Sequence, residues 1–328
     1  MHKMHNVMYK FQPILKSLIW GGEKIAPYKQ IETQQHNIGE SWELSGVAGN
    51  ESVVANGPEA GTKLPDLLAR HGASLLGKAN YERFGNEFPL LIKFIDARQD
   101  LSIQVHPNDQ LAWERHHSKG KTEMWYVVAT DPGAHLRSGF AKQVTPEEYE
   151  ASVENNTITD ILTDYAIRPG DVFFLPAGRV HAIGAGSFIA EIQQTSNITY
   201  RIYDYGRVGA DGKPRELHTE QAKGAIDYTV LPDYRTHYTP VRNARVELVS
   251  CPYFTTSLFD LTQEQMLDLS TLDSFVVVMC LEGRGTLTDD RGESIAVHQG
   301  ETVLLPATTR TLRMTPEGSM KLLTSWIA

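Results

Sequence analysis

Short apolar runs alternate with turn residues along most of this chain, a pattern that is typical of a mainly β protein. Residues 88–96 and 101–106 are two such runs, and the polar turn between them predicts a β-hairpin. Residues 124–129 form a third run of the same kind. We therefore expect a fold built chiefly from short strands.

One of these predicted strands, residues 101–106, carries its polar side chains on a single face. Successive side chains of a strand point to opposite faces, so Ser102, Gln104 and His106 share one face and the apolar residues share the other. The same period of two aligns Lys121 with Glu123 just before the next strand. A strand face with three polar residues indicates a wet cavity rather than an apolar core.

Helical signals are fewer and lie mostly in the N-terminal part. Thr145 is followed by Pro146 and by acidic residues, which predicts the start of a helix. Short helices are also expected at residues 64–71, 72–77, 156–162 and 218–226.

A repeated turn pattern predicts two similar domains. A glycine is followed six positions later by a proline at Gly170 to Pro176, and the same spacing recurs at Gly300 to Pro306. Only the first copy continues to a histidine, His181. We therefore divide the chain into residues 1–238, which include the turn with its histidine, and residues 239–328, which repeat the turn without the histidine.

Composition excludes several functional classes. The 328 residues carry a formal net charge of -9, which argues against a nucleic-acid-binding surface. No apolar run reaches the length of a membrane span, and the N-terminus does not resemble a signal peptide. Two cysteines do not form a disulfide framework, so we expect a protein of the reducing cytoplasm. The sequence specifies no oligomeric state.

The candidate chemistry is that of a divalent metal. His106, Glu123 and His181 supply two imidazoles and a carboxylate, a donor set suited to zinc. Gln104 is either a further ligand or a hydrogen-bond partner of a water bound to the metal, because an amide is a weaker zinc ligand than an imidazole or a carboxylate.

Several separate blocks of the chain resemble known proteins. The glycine, proline, glycine and histidine of residues 170–181 resemble the second signature of the cupin barrel. Residues 19–22, 40–45, 102–109, 120–126 and 192–201, together with 170–181, resemble type I mannose-6-phosphate isomerases, in particular their short bacterial form. The resemblance implies two cupin (jelly-roll) barrels with a few short helices inserted in the N-terminal part. It also implies one zinc ion per chain and a sugar phosphate as substrate.

The resemblance also implies roles for individual residues. It assigns the zinc ligands to His106, Glu123 and His181, with Gln104 as the fourth ligand of better-known members. The activity it implies is the interconversion of mannose 6-phosphate and fructose 6-phosphate through an enediol. The C-terminal domain is then a degenerate cupin without metal ligands.

The remaining residues of the implied site are catalytic or bind substrate. Arg201 matches the active-site arginine of the family, and Ser102 and Lys121 match positions that contact the phosphate. The base that removes the carbon-bound proton is left open between Glu191, a zinc-bound hydroxide and Lys121. Two other functions are also left open: another metallocupin enzyme such as an oxygenase, and a cupin that binds a sugar phosphate without catalysis.

Overall fold

The computed structural model describes residues 8–209 and 211–328, and strands predominate among them. The strands that precede residue 240 are β1 (Tyr9–Lys10), β2 (Ile14–Gly22), β3 (Ile38–Leu44), β4 (Leu90–Asp96), β5 (Ile103–Val105), β6 (Glu123–Thr130), β7 (His135–Phe140), β8 (Leu162–Ala166), β9 (Val172–Leu175), β10 (His181–Ile183), β11 (Ser187–Gln194), β12 (Tyr200–Tyr203) and β13 (Arg235–Thr236). Those that follow it are β14 (Arg245–Ser250), β15 (Thr255–Leu261), β16 (Gln265–Asp268), β17 (Val276–Asp289), β18 (Ser294–His298), β19 (Thr302–Leu305) and β20 (Thr311–Trp326).

The helices of the described residues are short and precede the C-terminal strands. They are α1 (Ile25–Lys29), α2 (Leu64–His71), α3 (Ala73–Leu76), α4 (Lys78–Phe84), α5 (Asp109–His116), α6 (Pro146–Glu154) and α7 (Thr219–Lys223). The helix predicted after Thr145 is confirmed as α6, where Thr145 and Glu148 form a capping box. The helix predicted at 156–162 is present only as a 3₁₀-helix at Ile158–Ile161, because β8 begins at Leu162.

Two sheets build the N-terminal part. The larger has seven strands in the order β13-β9-β6-β11-β4-β3-β2, and the smaller has five in the order β12-β5-β10-β7-β8. The predicted hairpin of residues 88–96 and 101–106 is wrong, because β4 lies in the larger sheet and β5 in the smaller. At the turn between them, the amide of Ala97 donates to Ser187 and that of Leu101 to Ile183, so the chain crosses from one sheet to the other.

The central strands of the larger sheet are buried on both faces. Every residue of β4 and β11 is buried, as expected for strands covered from two sides. The inner face packs with Leu136 and Ile183 of the smaller sheet. The outer face packs against α2, α3 and the C-terminal strands, where the Phe88 and Phe275 rings lie 4.8 Å apart.

The C-terminal residues and β1 form an eight-stranded sheet with the central order β1-β19-β17-β20-β15-β14. In addition, β16 pairs with β20 and β18 pairs with β17. The two copies of the repeated pattern have the same local structure: Gly170 (φ 92°) precedes β9 and Gly300 (φ 85°) precedes β19. The mainly β fold is therefore confirmed. The division at residue 238 stays a prediction, and β1 belongs to the C-terminal sheet although its residues precede that boundary.

Within the described ranges, no helix is long and apolar enough to cross a membrane. Cys251 and Cys280 are both free thiols.

Candidate active site

The site lies where the two N-terminal sheets face each other. In the smaller sheet, Gln104 of β5 is in register with His181 of β10 on one side and with Arg201 of β12 on the other. In the larger sheet, Glu123 of β6 is opposite Gln193 of β11. Residues in register on neighbouring strands project from the same face. The two sheets therefore direct polar side chains toward one another.

His106, Glu123 and His181 come together between the sheets. Their ligand atoms all lie within 4.8 Å of one another, and all three residues are buried. Glu123 Oε1 lies 3.3 Å from His106 Nε2, and Glu123 Oε2 lies 3.4 Å from His181 Nε2. Among residues 8–209 and 211–328, this is the one cluster of three or more His, Cys, Asp or Glu side chains that could hold a metal ion.

Backbone contacts fix the orientation of both imidazoles. His106 Nδ1 donates a hydrogen bond to the Ile198 carbonyl (2.9 Å), and His181 Nδ1 donates to the Arg179 carbonyl (2.8 Å). A neutral imidazole has one N–H, so each Nε2 presents a lone pair to the cluster. The turn before β10 requires Gly178, whose φ is +90° and where a Cβ would lie 3.1 Å from the Ala225 carbonyl oxygen.

These donors fit a divalent metal ion. Within the described part of the chain, His106 Nε2 and Glu123 Oε2 are buried without a hydrogen-bond partner. Burial lowers the pKa of His106 to about 3 and also lowers the pKa of His181, so both imidazoles are neutral near pH 7. Two lone pairs and a carboxylate that converge without a proton between them are the ligand set of a cation.

Two amide side chains border the cluster. Gln104 Nε2 lies 3.4 Å from His181 Nε2, so the Gln104 amide is adjacent to the ligand atoms. In the amide orientation that satisfies its neighbours, Gln193 Nε2 donates to Glu123 Oε1 (3.1 Å) and to Glu191 Oε1 (2.6 Å). Gln193 therefore links the candidate ligand Glu123 to the second buried carboxylate of the site.

Glu191 is that second carboxylate, and it is 4% exposed. Trp125 Nε1 donates to Glu191 Oε2 at 2.8 Å. Burial, followed by the negative charge of Glu123, raises the pKa of Glu191 to about 7, although Lys93 and Lys121 oppose the shift. Glu191 can therefore accept or release a proton near neutral pH.

Arginines form the other end of the cavity. Arg201 Nη1 donates to the Glu216 carbonyl (3.0 Å), while its Nε is buried and has no hydrogen-bond partner among the described residues. Arg215 lines the same cavity. The Asp204 carboxylate holds both Arg215 and Arg207, with Nη2 to Oδ1 distances of 2.6 Å in each pair. Two guanidinium groups at one end of a cavity provide a site for an anionic oxygen group.

The cavity between these ends has a volume of about 230 Å³. The predicted residues that line it are Ser102, Gln104, Lys121, Glu123, Glu191 and Arg201. Lys121 Nζ also contacts Glu123 Oε1 at 3.3 Å. Among the further lining residues that sequence reasoning missed are Glu40, Trp42, Lys93 and Arg215. Glu40 and Trp42 belong to the block at 40–45 that carried the resemblance, which was the available signal for them.

The fold and the cluster define a protein of paired β-sheets with a buried histidine and carboxylate site between them. The chain belongs to the type I phosphomannose isomerase family. The family model of the type I phosphomannose isomerase catalytic domain matches residues 8–160, and that of the mannose-6-phosphate isomerase cupin domain matches residues 245–327.

Relatives of similar length support this assignment. The chain is 35% identical to mannose-6-phosphate isomerase ManA of Bacillus subtilis, over 90% of this chain and 92% of that protein. It is 31% identical to a mannose-6-phosphate isomerase of Streptococcus mutans, over 94% of each. The crystal structure of the mannose 6-phosphate isomerase from Bacillus subtilis superposes with a TM-score of 0.86 at 29% identity, covering 97% of this chain and 99% of that one. The apo enzyme of Salmonella typhimurium shares the fold, with a TM-score of 0.78 at 18% identity over 99% of this chain and 100% of that one.

Proposed function

We propose that this chain interconverts mannose 6-phosphate and fructose 6-phosphate, with one zinc ion held by His106, Glu123 and His181. One observation carries the proposal: Glu123 of the buried cluster and Arg201 line the same cavity. Family membership supports it. The two free cysteines fit the reducing cytoplasm, where we place the protein.

Zinc suits the donor set because it accepts imidazole nitrogen and carboxylate oxygen together. Gln104 is adjacent to the cluster, and we propose its amide oxygen as a further ligand. A bound divalent ion supplies Lewis acidity to the substrate oxygens next to the reacting carbons. The protein groups then have two remaining tasks, which are to hold the phosphate and to move a proton.

We assign the phosphate to the end of the cavity with the arginines. Arg201 has an unpartnered Nε, and the guanidinium of Arg215 is fixed by Asp204, so the two present donors that are already oriented. Ser102 and Lys121 line the same cavity: Ser102 adds a hydroxyl, while the Lys121 ammonium lies beside Glu123, between the cluster and the bound sugar phosphate. Binding the phosphate at one end holds the reacting carbons in place at the other.

We assign the proton transfer to Glu191. Isomerisation of an open-chain aldose to a ketose passes through an enediol, and moves one proton from C2 to C1 and a second from the C2 hydroxyl to the C1 carbonyl oxygen. The Glu191 carboxylate takes the proton from C2 and returns it to C1. A base with a pKa near neutrality is suited to both directions. Lys121 is engaged with Glu123, which favours Glu191 over Lys121 as the base.

The test combines metal content with turnover of fructose 6-phosphate. We expect about one zinc per chain in the active protein, loss of activity after chelation, and recovery when zinc is added back. A metal-free protein with full activity would contradict the proposal. Oxygen uptake without isomerisation would indicate an oxygenase, and tight binding of the sugar phosphate without turnover would indicate a binding protein.

A further inference from the structure

Four residues form a continuous row across the inner face of the larger sheet. Glu191 of β11 is in register with Trp125 of β6 on one side and with Lys93 of β4 on the other. Lys93 is in turn in register with Trp42 of β3. Residues in register on adjacent strands share a face and lie within contact distance. The row therefore places a lysine directly beside the candidate base.

The contacts along this row are polar and specific. Trp125 occupies Oε2 of Glu191, whereas Lys93 Nζ lies 3.6 Å from Oε1. On its other side, Lys93 Nζ lies 3.7 Å from Glu40 Oε2, an oxygen that also accepts a hydrogen bond of 2.6 Å from Trp42 Nε1. The Lys93 ammonium therefore lies between two carboxylates, each of which is anchored by an indole.

A lysine in this position is unusual. Lys93 is 6% exposed, in a strand whose residues are all buried. Burial of an ammonium group is unfavourable unless the charge is paired. Lys93 pairs with Glu40 and Glu191 and contacts the Trp42 ring. The reaction proposed above gives Lys93 no role of its own.

We propose that Lys93 is a positioning residue, whose ammonium group orients the Glu191 carboxylate toward the sugar and keeps it ionised, and that Glu40 fixes Lys93 for this role. The inference rests on the proposed role of Glu191 as the base. It adds a residue that does not touch the reacting carbons and acts through another side chain.

The charges that face Glu191 explain why such a residue is needed. Lys93 faces it from β4, Glu123 from β6, and Lys121 from the segment before β6, while Glu40 of β3 lies behind Lys93. Burial and the two glutamates favour the protonated form of Glu191, and the two lysines favour the carboxylate. Because Lys121 is engaged with Glu123, Lys93 is the cation available to Glu191.

The experiment compares Lys93→Met and Lys93→Arg in the zinc-loaded protein over a range of pH. For Lys93→Met we expect kcat at pH 7 to fall about tenfold or more, KM to change less than about threefold, and the acidic limb of the kcat profile to move up by about one pH unit. Lys93→Arg keeps the cation and is expected to leave the limb within about 0.3 pH units of the original position.

Lys29→Met is the matched control. Lys29 is also a buried lysine, 5% exposed, and it pairs with Glu43 at 2.7 Å. It lies outside the cavity, so its loss is expected to lower stability without moving the pH profile. If Lys93→Met does not fold, Lys93→Gln provides the second variant, and we expect it to move the same limb up because it also removes the ammonium group.

Glu191→Gln separates this inference from the proposed function. Full activity of Glu191→Gln would overturn the role of Glu191 and the inference with it. If Glu191→Gln is inactive and Lys93→Met keeps the original pH profile, the proposed function stands and the inference is overturned. Zinc content is measured for every variant, and we expect it to be unchanged in Lys93→Met because Lys93 does not contact the cluster.

Discussion

Asp204 and Arg215 form a two-point ion pair at the edge of the cavity, with Arg215 Nε 2.8 Å from Oδ2 and Nη2 2.6 Å from Oδ1. Asp204 is 5% exposed, so the acidic partner of the pair is buried, while the Arg215 side chain is 30% exposed. A guanidinium fixed in this way needs no reordering when an anion arrives.

The pair leads to a prediction about substrate affinity. Replacing Arg215 by Gln is expected to raise KM for the sugar phosphate about tenfold, with kcat changed less than about threefold, because a charged hydrogen bond to phosphate is lost in ground state and transition state alike. Steady-state kinetics and inhibition by inorganic phosphate measure the effect. Arg168→Gln removes a guanidinium that is 84% exposed and serves as the control. An unchanged KM would remove Arg215 from the phosphate site.

The histidine cluster predicts that metal binding and stability change together. His181→Ala is expected to lose bound zinc and activity at once, since one of three convergent donors is removed. In the unsubstituted protein, zinc at about 100 times its dissociation constant is expected to add about 2.7 kcal/mol to the free energy of unfolding, and this addition disappears in the variant. Metal analysis and thermal unfolding with and without chelator provide the measurements. His36→Ala, which removes an imidazole that is 79% exposed, is expected to behave like the parent protein.

His135 predicts a pH dependence of stability. Its hydrogen bond to Asp100 raises the pKa of His135 to about 9, above its ordinary value of 6.5; burial opposes the shift and Asp164 reinforces it. A raised pKa means that the folded state binds the proton more tightly than the unfolded state. The stabilisation is therefore complete below about pH 6.5 and is lost as the pH rises through about 9.

The corresponding variant is His135→Gln. We expect it to lower the free energy of unfolding by about 2 kcal/mol at pH 6 and by clearly less at pH 10. Urea unfolding at the two pH values gives the comparison. His237→Gln is the control, because His237 forms a comparable contact with Asp233 but is 75% exposed. A loss that is the same at both pH values would show that His135 stabilises by packing alone.

The close approach of Gly77 to Asp273 leads to a prediction about how the short helices pack against the C-terminal residues. Its φ is +93°, and a Cβ at this position would lie 2.2 Å from the Asp273 carbonyl oxygen. Gly77→Ala is expected to cost about 3 kcal/mol or more, since backbone strain and a backbone collision add. Gly61 has a similar φ of +88° with nothing within 4 Å of the added Cβ, so Gly61→Ala is expected to cost only about 1–2 kcal/mol. Chemical denaturation measures the free energy of unfolding of both variants. Equal losses of this free energy in Gly77→Ala and Gly61→Ala would contradict the predicted collision.

The candidate ligands were predictable because each lies in a local pattern. His181 follows a Gly-Pro-Gly turn, and Glu123 precedes an apolar strand at a spacing of two residues from Lys121. Their convergence required the resemblance, since period and spacing do not say which strands face each other. The roles of Arg201, Lys121, Glu191, Ser102 and Gln104 stay predictions.

The residues that sequence reasoning missed share a physical reason. Lys93 is an isolated lysine in an apolar run, and the sequence alone does not indicate which side chain it meets. The pairing of β4 with β11 places it beside Glu191. Arg215 follows a turn-rich loop that looks like solvent-exposed surface. The false hairpin at residues 97–100 has the same origin, because a short polar turn is compatible with pairing and with a crossing between sheets.

The pairing of Tyr9 in β1 with Leu304 in β19 has a consequence for biosynthesis. Tyr9 is translated long before Leu304, so β1 waits without its partner while the residues between them are made. Closing so long a loop is slow, and until then an unpaired edge is open to other nascent chains. Removing β1 would therefore damage the C-terminal sheet, although β1 is remote from that sheet along the chain.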